Sequence, residues 1–177
     1  MAATRHGRLA EVYAEASHSA QGQRAQGPAR RAREWVVRFW DSSAIVPLVL
    51  VEPATTRVRA WLREDATVAI WTCTRVEVLS ALARRRRAEP RMRRQIAAAR
   101  REFLEAWPRW SEVTMIDAVK RLAERLVETH PLRAADALQI GAALVAAESE
   151  PETLEFVTLD SRQAEAAERE GFRVMHI

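Results

Sequence analysis

Apolar residues fall along this chain in short runs of two kinds. "WVVRFW" (35–40), "TVAIW" (67–71), "SEVTMI" (111–116), "LEFVTL" (154–159) and "FRVMHI" (172–177) are brief and rich in β-branched or aromatic side chains, which predicts strands. Between them the apolar positions recur every three or four residues, which predicts helices. These run from Asp41 through Leu50, around Val58, Trp61 and Leu62, from Thr74 through Leu79, Leu82 and Ala83, and from about Arg91 to Ala106. Others run from Ala118 to Glu128, over the nearly all-apolar 133–148, and from Ser161 to Glu170. Pro53, "AEP" at 88–90, "THP" at 129–131 and Gly171 supply the breaks. Strands alternating with helices at this spacing predict an α/β fold: a doubly wound parallel sheet of about four to five strands with helices on both faces. Such sheets bind ligands at the carboxyl ends of their strands.

Residues 1–33 fit this pattern least. They are rich in Arg, Ala, Gln, Gly and Ser, with only a weak helical pattern around Leu9, Val12 and Tyr13. The expectation is a mobile N-terminal tail over 1–33 and one domain over 34–177. The tail holds six arginines against two glutamates and so carries the whole net charge of +4. The remaining chain is neutral, but its charge is segregated. Arg84 to Arg101 contains nine arginines and one acid, Glu89, which predicts a local basic patch and an acidic site elsewhere. A single cysteine, Cys73, excludes an intramolecular disulfide and fits a reducing, cytoplasmic compartment. No apolar run approaches the ~18 residues of a membrane span.

Four acids stand out. Asp41 directly follows the first predicted strand and Asp160 the fourth, so in a parallel sheet both would project from one edge. Glu77 lies in the first turn of the helix after strand two. Asp136 sits among Ala134, Ala135, Ala137, Leu138 and Ile140. Each has a structural explanation. Asp41 and Asp160 could be helix N-caps. Thr74-Arg75-Val76-Glu77 spells a capping box, and Asp136 could pair with Arg133 or another arginine. Asp117, at another helix start, is read as a cap. Together, however, several acids converging on one edge repel unless a cation neutralises them or a proton is shared. An all-oxygen donor set suits Mg²⁺ or Mn²⁺.

Other chemistries lack their residues. There is no phosphate-cradling G-x-x-x-x-G-K-[ST], no G-x-G-x-x-G after a strand, no G-x-S-x-G elbow and no His/Cys cluster for zinc. Metal-assisted hydrolysis of a phosphodiester remains. Two other classes stay open. One is a catalytically silent module that binds RNA or protein, its acids serving as caps and ion pairs. The other is a phosphatase or DNA nuclease on a similar sheet.

Four blocks, in order, carry a resemblance: "FWDSSAIVPL", "TRVEVLSALARR", "LRAADALQIGAAL" and "FVTLDSRQAEAAEREGF". From about Trp35 to Ile177 the chain resembles a PIN domain, specifically the VapC-type toxin ribonucleases of toxin–antitoxin pairs. The resemblance implies a PIN-like doubly wound sheet. It also implies an acidic Mg²⁺/Mn²⁺ pocket made by Asp41, Glu77, Asp136 and Asp160, and endoribonuclease activity. Ser42 and Thr158 would help hold water or phosphate. It further implies an RNA substrate, a small antitoxin partner and a homodimer, for which the apolar helix Ala44–Val51 is one candidate surface. An acidic pocket repels RNA, so the basic stretch with Arg84, Arg85, Arg86, Arg87, Arg91, Arg93 and Arg94 is the candidate for phosphate contacts. Trp107 and Trp110 could stack bases, but their spacing favours a place in the core.

Overall fold

Five short strands form inside the β-rich runs. A computed structural model describes residues 9–14 and 37–177. Within it lie β1 (Arg38–Trp40), β2 (Val68–Trp71), β3 (Ser111–Val113), β4 (Glu155–Val157) and β5 (Arg173–Met175). All neighbours are parallel, in the order β3-β2-β1-β4-β5. The predicted doubly wound α/β sheet is therefore present. The third strand is shorter than the run 111–116, because a helix already starts at Ile116. Trp35 and Val36, the start of the first predicted strand, lie outside the described residues.

The three inner strands β2, β1 and β4 carry apolar side chains on successive residues because both their faces are covered, whereas the edge strands β3 and β5 are exposed or half-buried. Trp40, Val68, Ile70 and Val157 point into one core, with α1 (Ser42–Val49), α2 (Thr55–Glu64), α3 (Thr74–Ala88) and α4 (Arg93–Ala106). Phe39, Ala69, Trp71 and Phe156 point into the other, with α5 (Ile116–Thr129), α6 (Ala134–Ala146) and α7 (Ser161–Arg169). Phe39 stacks on Phe156 at 5.7 Å between ring centroids, so the two central strands are joined by side chains as well as by backbone. On that second face α5 and α6 pack backbone to backbone. A Cβ added to Gly141 would lie 3.0 Å from the Val119 carbonyl oxygen. Gly171 takes a φ of +96° just past α7, the left-handed stop its position predicted.

Two expectations about packing are decided here. Trp107 and Trp110 are buried beside Phe103, with ring centroids 5.5–6.0 Å apart, so they belong to the core and are not a base-stacking platform. In α1, Ala44, Ile45, Pro47, Leu48 and Val49 are buried, so this helix packs on the sheet. Within the stretch expected to be a tail, residues 9–14 are helical. Leu9 and Val12 are buried in the first core, and Trp110 Nε1 donates to the Tyr13 hydroxyl. The rest of 1–33 lies outside the described residues. Among the described residues, no helix is long and apolar enough to cross a membrane.

Candidate active site

The sheet order places β1 beside β4, and the chain winds away from this pair in opposite directions. That makes their carboxyl ends a topological switch point, the place where open α/β sheets bind ligands. The backbone continues the pairing one step past the strands, because Asp41 N donates to Val157 O at 2.9 Å. Asp41 and Thr158, each the next residue after its strand, are thereby brought side by side.

Asp41 is wholly buried and does cap α1, as its position predicted. Its Oδ2 accepts from the Ser43 amide at 3.0 Å, from the Ser43 hydroxyl, and from the Thr158 hydroxyl at 3.2 Å. Its Oδ1 accepts from the Ser42 hydroxyl at 3.3 Å and from Gln163 Nε2 at 3.4 Å. A cap alone would use one or two of these. Burial pushes the Asp41 carboxyl above its ordinary range, against the hydrogen bonds from Ser43, Thr158 and Gln163 that favour the anion.

Glu77 stands in the first turn of α3, but the capping box its sequence spells does not form. The N-cap is Cys73, with no side-chain cap bond. Thr74 is drawn inward, where it exchanges hydrogen bonds with the side-chain amide of Gln139 at 3.0 and 3.3 Å. Glu77 turns to the same amide and accepts from Gln139 Nε2 at 2.7 Å. Burial raises the Glu77 carboxyl above its ordinary range. Hydrogen bonds from Gln139 and Ser42 oppose this, and the charges of Asp41 and Asp136 add to it. Glu77 therefore shares a field with both aspartates.

Asp136 is half-buried in the first turn of α6, three residues after Arg133. The proposed ion pair with the Arg133 side chain is absent. Asp136 Oδ2 instead accepts from the Arg133 backbone amide at 3.3 Å, because α6 begins here and its first amides need acceptors. Its other oxygen accepts from Gln163 Nε2 at 3.1 Å. The Gln163 amide thus bridges Asp41 and Asp136. Asp160 caps α7, accepting from the amides of Arg162 at 2.9 Å and Gln163 at 3.2 Å. It joins the other acids through the Gln163 backbone and through its own amide, which donates at 3.1 Å to the Thr158 hydroxyl that holds Asp41. Asp117 is exposed in the first turn of α5, whose N-cap is Met115. It sits near the helix dipole without capping.

Asp41, Glu77 and Asp136 are thus gathered at the switch point by two glutamines, with Ser42, Ser43 and Thr158 on the Asp41 carboxylate. No group of three His, Cys, Asp or Glu side chains among the described residues is closed around a single point. The arrangement is an Asp41–Asp136 pair held by an amide, with Glu77 within reach of both charges. Two of its members carry raised pKa values, chiefly because burial disfavours their charged forms. All donors are hard oxygens, so the group fits Mg²⁺ or Mn²⁺ and does not fit a soft metal.

Sequence reasoning missed Ser43, Gln139 and Gln163. A signal was present: both Asp136 and Asp160 are followed three residues later by glutamine. Asp-x-x-Gln at a helix start reads as a capping pair, and here the glutamines face the acids of other helices.

The basic patch lies on the exposed end of α3, the following turn and α4. Arg84, Arg86, Arg87, Arg91, Arg93 and Arg94 are exposed and make no ion pair among the described residues. Arg85 differs, being held by Glu52 at 2.7 Å and Glu89 at 3.0 Å. Arg84 and Arg87 lie seven and ten residues beyond Glu77 on one helix, about 10–15 Å along its axis.

The comparisons with known proteins bear on the same region. The model of the PIN domain matches residues 38–169. Among solved structures, the crystal structure of PAE2754 from Pyrobaculum aerophilum is similar, with 25% identity and a TM-score of 0.51. That match covers 74% of this chain and 79% of that one. No curated protein matches the chain.

Proposed function

We propose that this chain, which belongs to the PIN-domain family, is a metal-dependent endoribonuclease and the toxin of a toxin–antitoxin pair. Nuclease chemistry is what this fold generally carries. The observation that supports a working site is the gathering of Asp41, Glu77 and Asp136 at the switch point, with burial raising two of the three carboxyls.

Asp41, Glu77, Asp136 and Asp160 would hold the Mg²⁺ or Mn²⁺. When bound, the cation supplies charge stabilisation at the scissile phosphate and lowers the pKa of water. The protein's own work is positioning. Ser42, Ser43 and Thr158 fix the Asp41 carboxylate from three sides, and α1 and the sheet bury it, so its direction is set before substrate arrives. The arginines beyond Glu77 that have no ion pair among the described residues would take RNA phosphates. A small antitoxin and a second copy of the chain remain part of the proposal. Val76, Met115 and Ile116 are large apolar side chains that stay exposed in the single chain and could be covered by either.

The test is cleavage of total RNA by purified protein with Mn²⁺ or with EDTA, beside Asp136→Asn. Metal-dependent cleavage that D136N loses while keeping its fold supports the proposal. Equal cleavage in EDTA, or a fully active D136N, refutes it. Growth arrest on expression, relieved by the product of a neighbouring short gene, tests the toxin assignment separately.

A further inference from the structure

Gln163 touches more of the acid group than any acid does. Its side-chain nitrogen donates to Asp41 Oδ1 and Asp136 Oδ1, and its backbone nitrogen donates to Asp160 Oδ1. The residue is 4% exposed. Its amide oxygen is buried and has no hydrogen-bond partner among the described residues. A strut that served packing alone would be expected to satisfy both ends, since buried polar atoms nearly always find partners.

An amide's oxygen and nitrogen are almost the same size, so turning the last torsion by half a circle exchanges them with little change in shape. With no partner on the oxygen, nothing on that side fixes the orientation. It is set entirely by the sign of the charge at the other end. Two bare carboxylates attract the N–H groups. A cation between the same carboxylates repels them and attracts the oxygen.

We infer that Gln163 is a two-state member of the site: it presents Nε2 to Asp41 and Asp136 when no cation is there, and Oε1 as a further oxygen donor when one binds. This rests on the metal reading above and extends it. In the metal-free state the amide keeps two carboxylates together that would otherwise separate. In the loaded state it adds a neutral oxygen, which strengthens the site without adding charge.

The experiment measures Mn²⁺ binding to the full chain by calorimetry, for the wild type, Gln163→Leu and Gln163→Glu. Side-chain amide NMR of the wild type with and without Mg²⁺ accompanies it. Gln163→Leu is expected to weaken Mn²⁺ by about ten- to a hundredfold. Gln163→Glu, which has the same shape with a charged oxygen in place of the nitrogen, is expected to tighten it. The Gln163 side-chain amide signals should move on adding Mg²⁺. If Gln163→Leu fails to fold, Gln163→Glu and the amide signals decide. Unchanged Mn²⁺ affinity in the variants with unmoved amide signals overturns the role of Gln163 and leaves the carboxylates as holders. No Mn²⁺ uptake by the wild type overturns the metal reading itself, and this inference with it.

Discussion

Replacing Asp41 with asparagine should make the metal-free protein more stable at neutral pH, although it removes the most heavily hydrogen-bonded carboxylate of the site. The three closest donors converge on Oδ2, and the two contacts to Oδ1 are long, at 3.3 and 3.4 Å. Asparagine would keep its oxygen at the Oδ2 position and put its nitrogen at Oδ1. There it meets Ser42, whose hydroxyl can turn to accept, and Gln163, whose unpartnered oxygen can do the same. Three charge-assisted bonds become neutral ones, at a cost of about 1 kcal/mol each. Against this stands the desolvation of a wholly buried carboxylate, several kcal/mol after relaxation by general experience. The raised Asp41 pKa shows which wins, because burial outweighs the hydrogen bonds in favouring the neutral form.

A carboxyl whose pKa is higher folded than unfolded binds its proton more tightly in the fold. Its stability contribution is fully present below the unfolded pKa of about 4 and is lost as pH climbs through the folded value. Asp41 and Glu77 both act in this sense. Glu170, held low chiefly by Arg125, acts in the opposite sense, but it is common to both proteins and cancels in the difference. Urea unfolding in EDTA, followed by the fluorescence of the buried tryptophans, should therefore favour Asp41→Asn by about 1–2 kcal/mol at pH 7–8. That is roughly 2–8 °C in melting temperature for a chain of this size. The gap should close toward pH 4. A variant less stable than wild type by more than about 1 kcal/mol at pH 7–8, or a gap that acid does not narrow, would refute the reasoning.

Asp160→Ala should cost about 1 kcal/mol through loss of the α7 cap, and Asp160→Ser should restore the stability. If RNA cleavage returns with serine, Asp160 acts only as a cap; if it stays lost, the carboxylate itself is needed. Gly141→Ala should lower stability by about 1 kcal/mol in chemical denaturation. Helix propensity gains up to ~1 kcal/mol, but the Val119 carbonyl 3.0 Å away imposes overpacking of about 1–3 kcal/mol. Leu9→Ala should cost about 2 kcal/mol in the same assay, because the side chain is buried in the first core. Replacing Arg84, Arg86 and Arg87 with glutamate should leave stability within ~0.5 kcal/mol. It should also weaken single-stranded RNA binding and flatten its salt dependence, by about 0.7 in the log–log slope for each phosphate no longer neutralised.

The legible parts of this protein are those written locally. β2 is an unbroken apolar run because both its faces are covered, and that shows in four consecutive residues. Asp41 and Asp160 could be located because strand ends and helix starts have local spellings. The less legible parts depend on what other segments bring near. Thr74 and Glu77 spell a capping box, yet Gln139, more than sixty residues later, offers both side chains a buried partner, and the box does not form. Asp136 reads as out of place in an apolar helix because the apolar pattern of 133–148 has no sharp beginning. In the structure α6 starts at Ala134, so Asp136 sits in the first turn, where a carboxylate is at home. Leu9 and Val12 show their periodicity, but six residues in a polar stretch do not say which core they join.

Distance along the chain also sets an order in time. Asp41 belongs to the first quarter of the sequence, whereas its partners Thr158 and Gln163 come 117 and 122 residues later. A ribosome delivers the chain from its amino end, so Asp41 and Asp136 both emerge before the segment that ties them together. Until β4 has slotted in beside β1, the carboxylates have neither their shared amide nor the Thr158 hydroxyl. Fragments that stop before Thr158 lack these groups altogether. The folded geometry of the Asp41 and Asp136 carboxylates therefore forms only after the segment carrying Thr158 and Gln163 has been made.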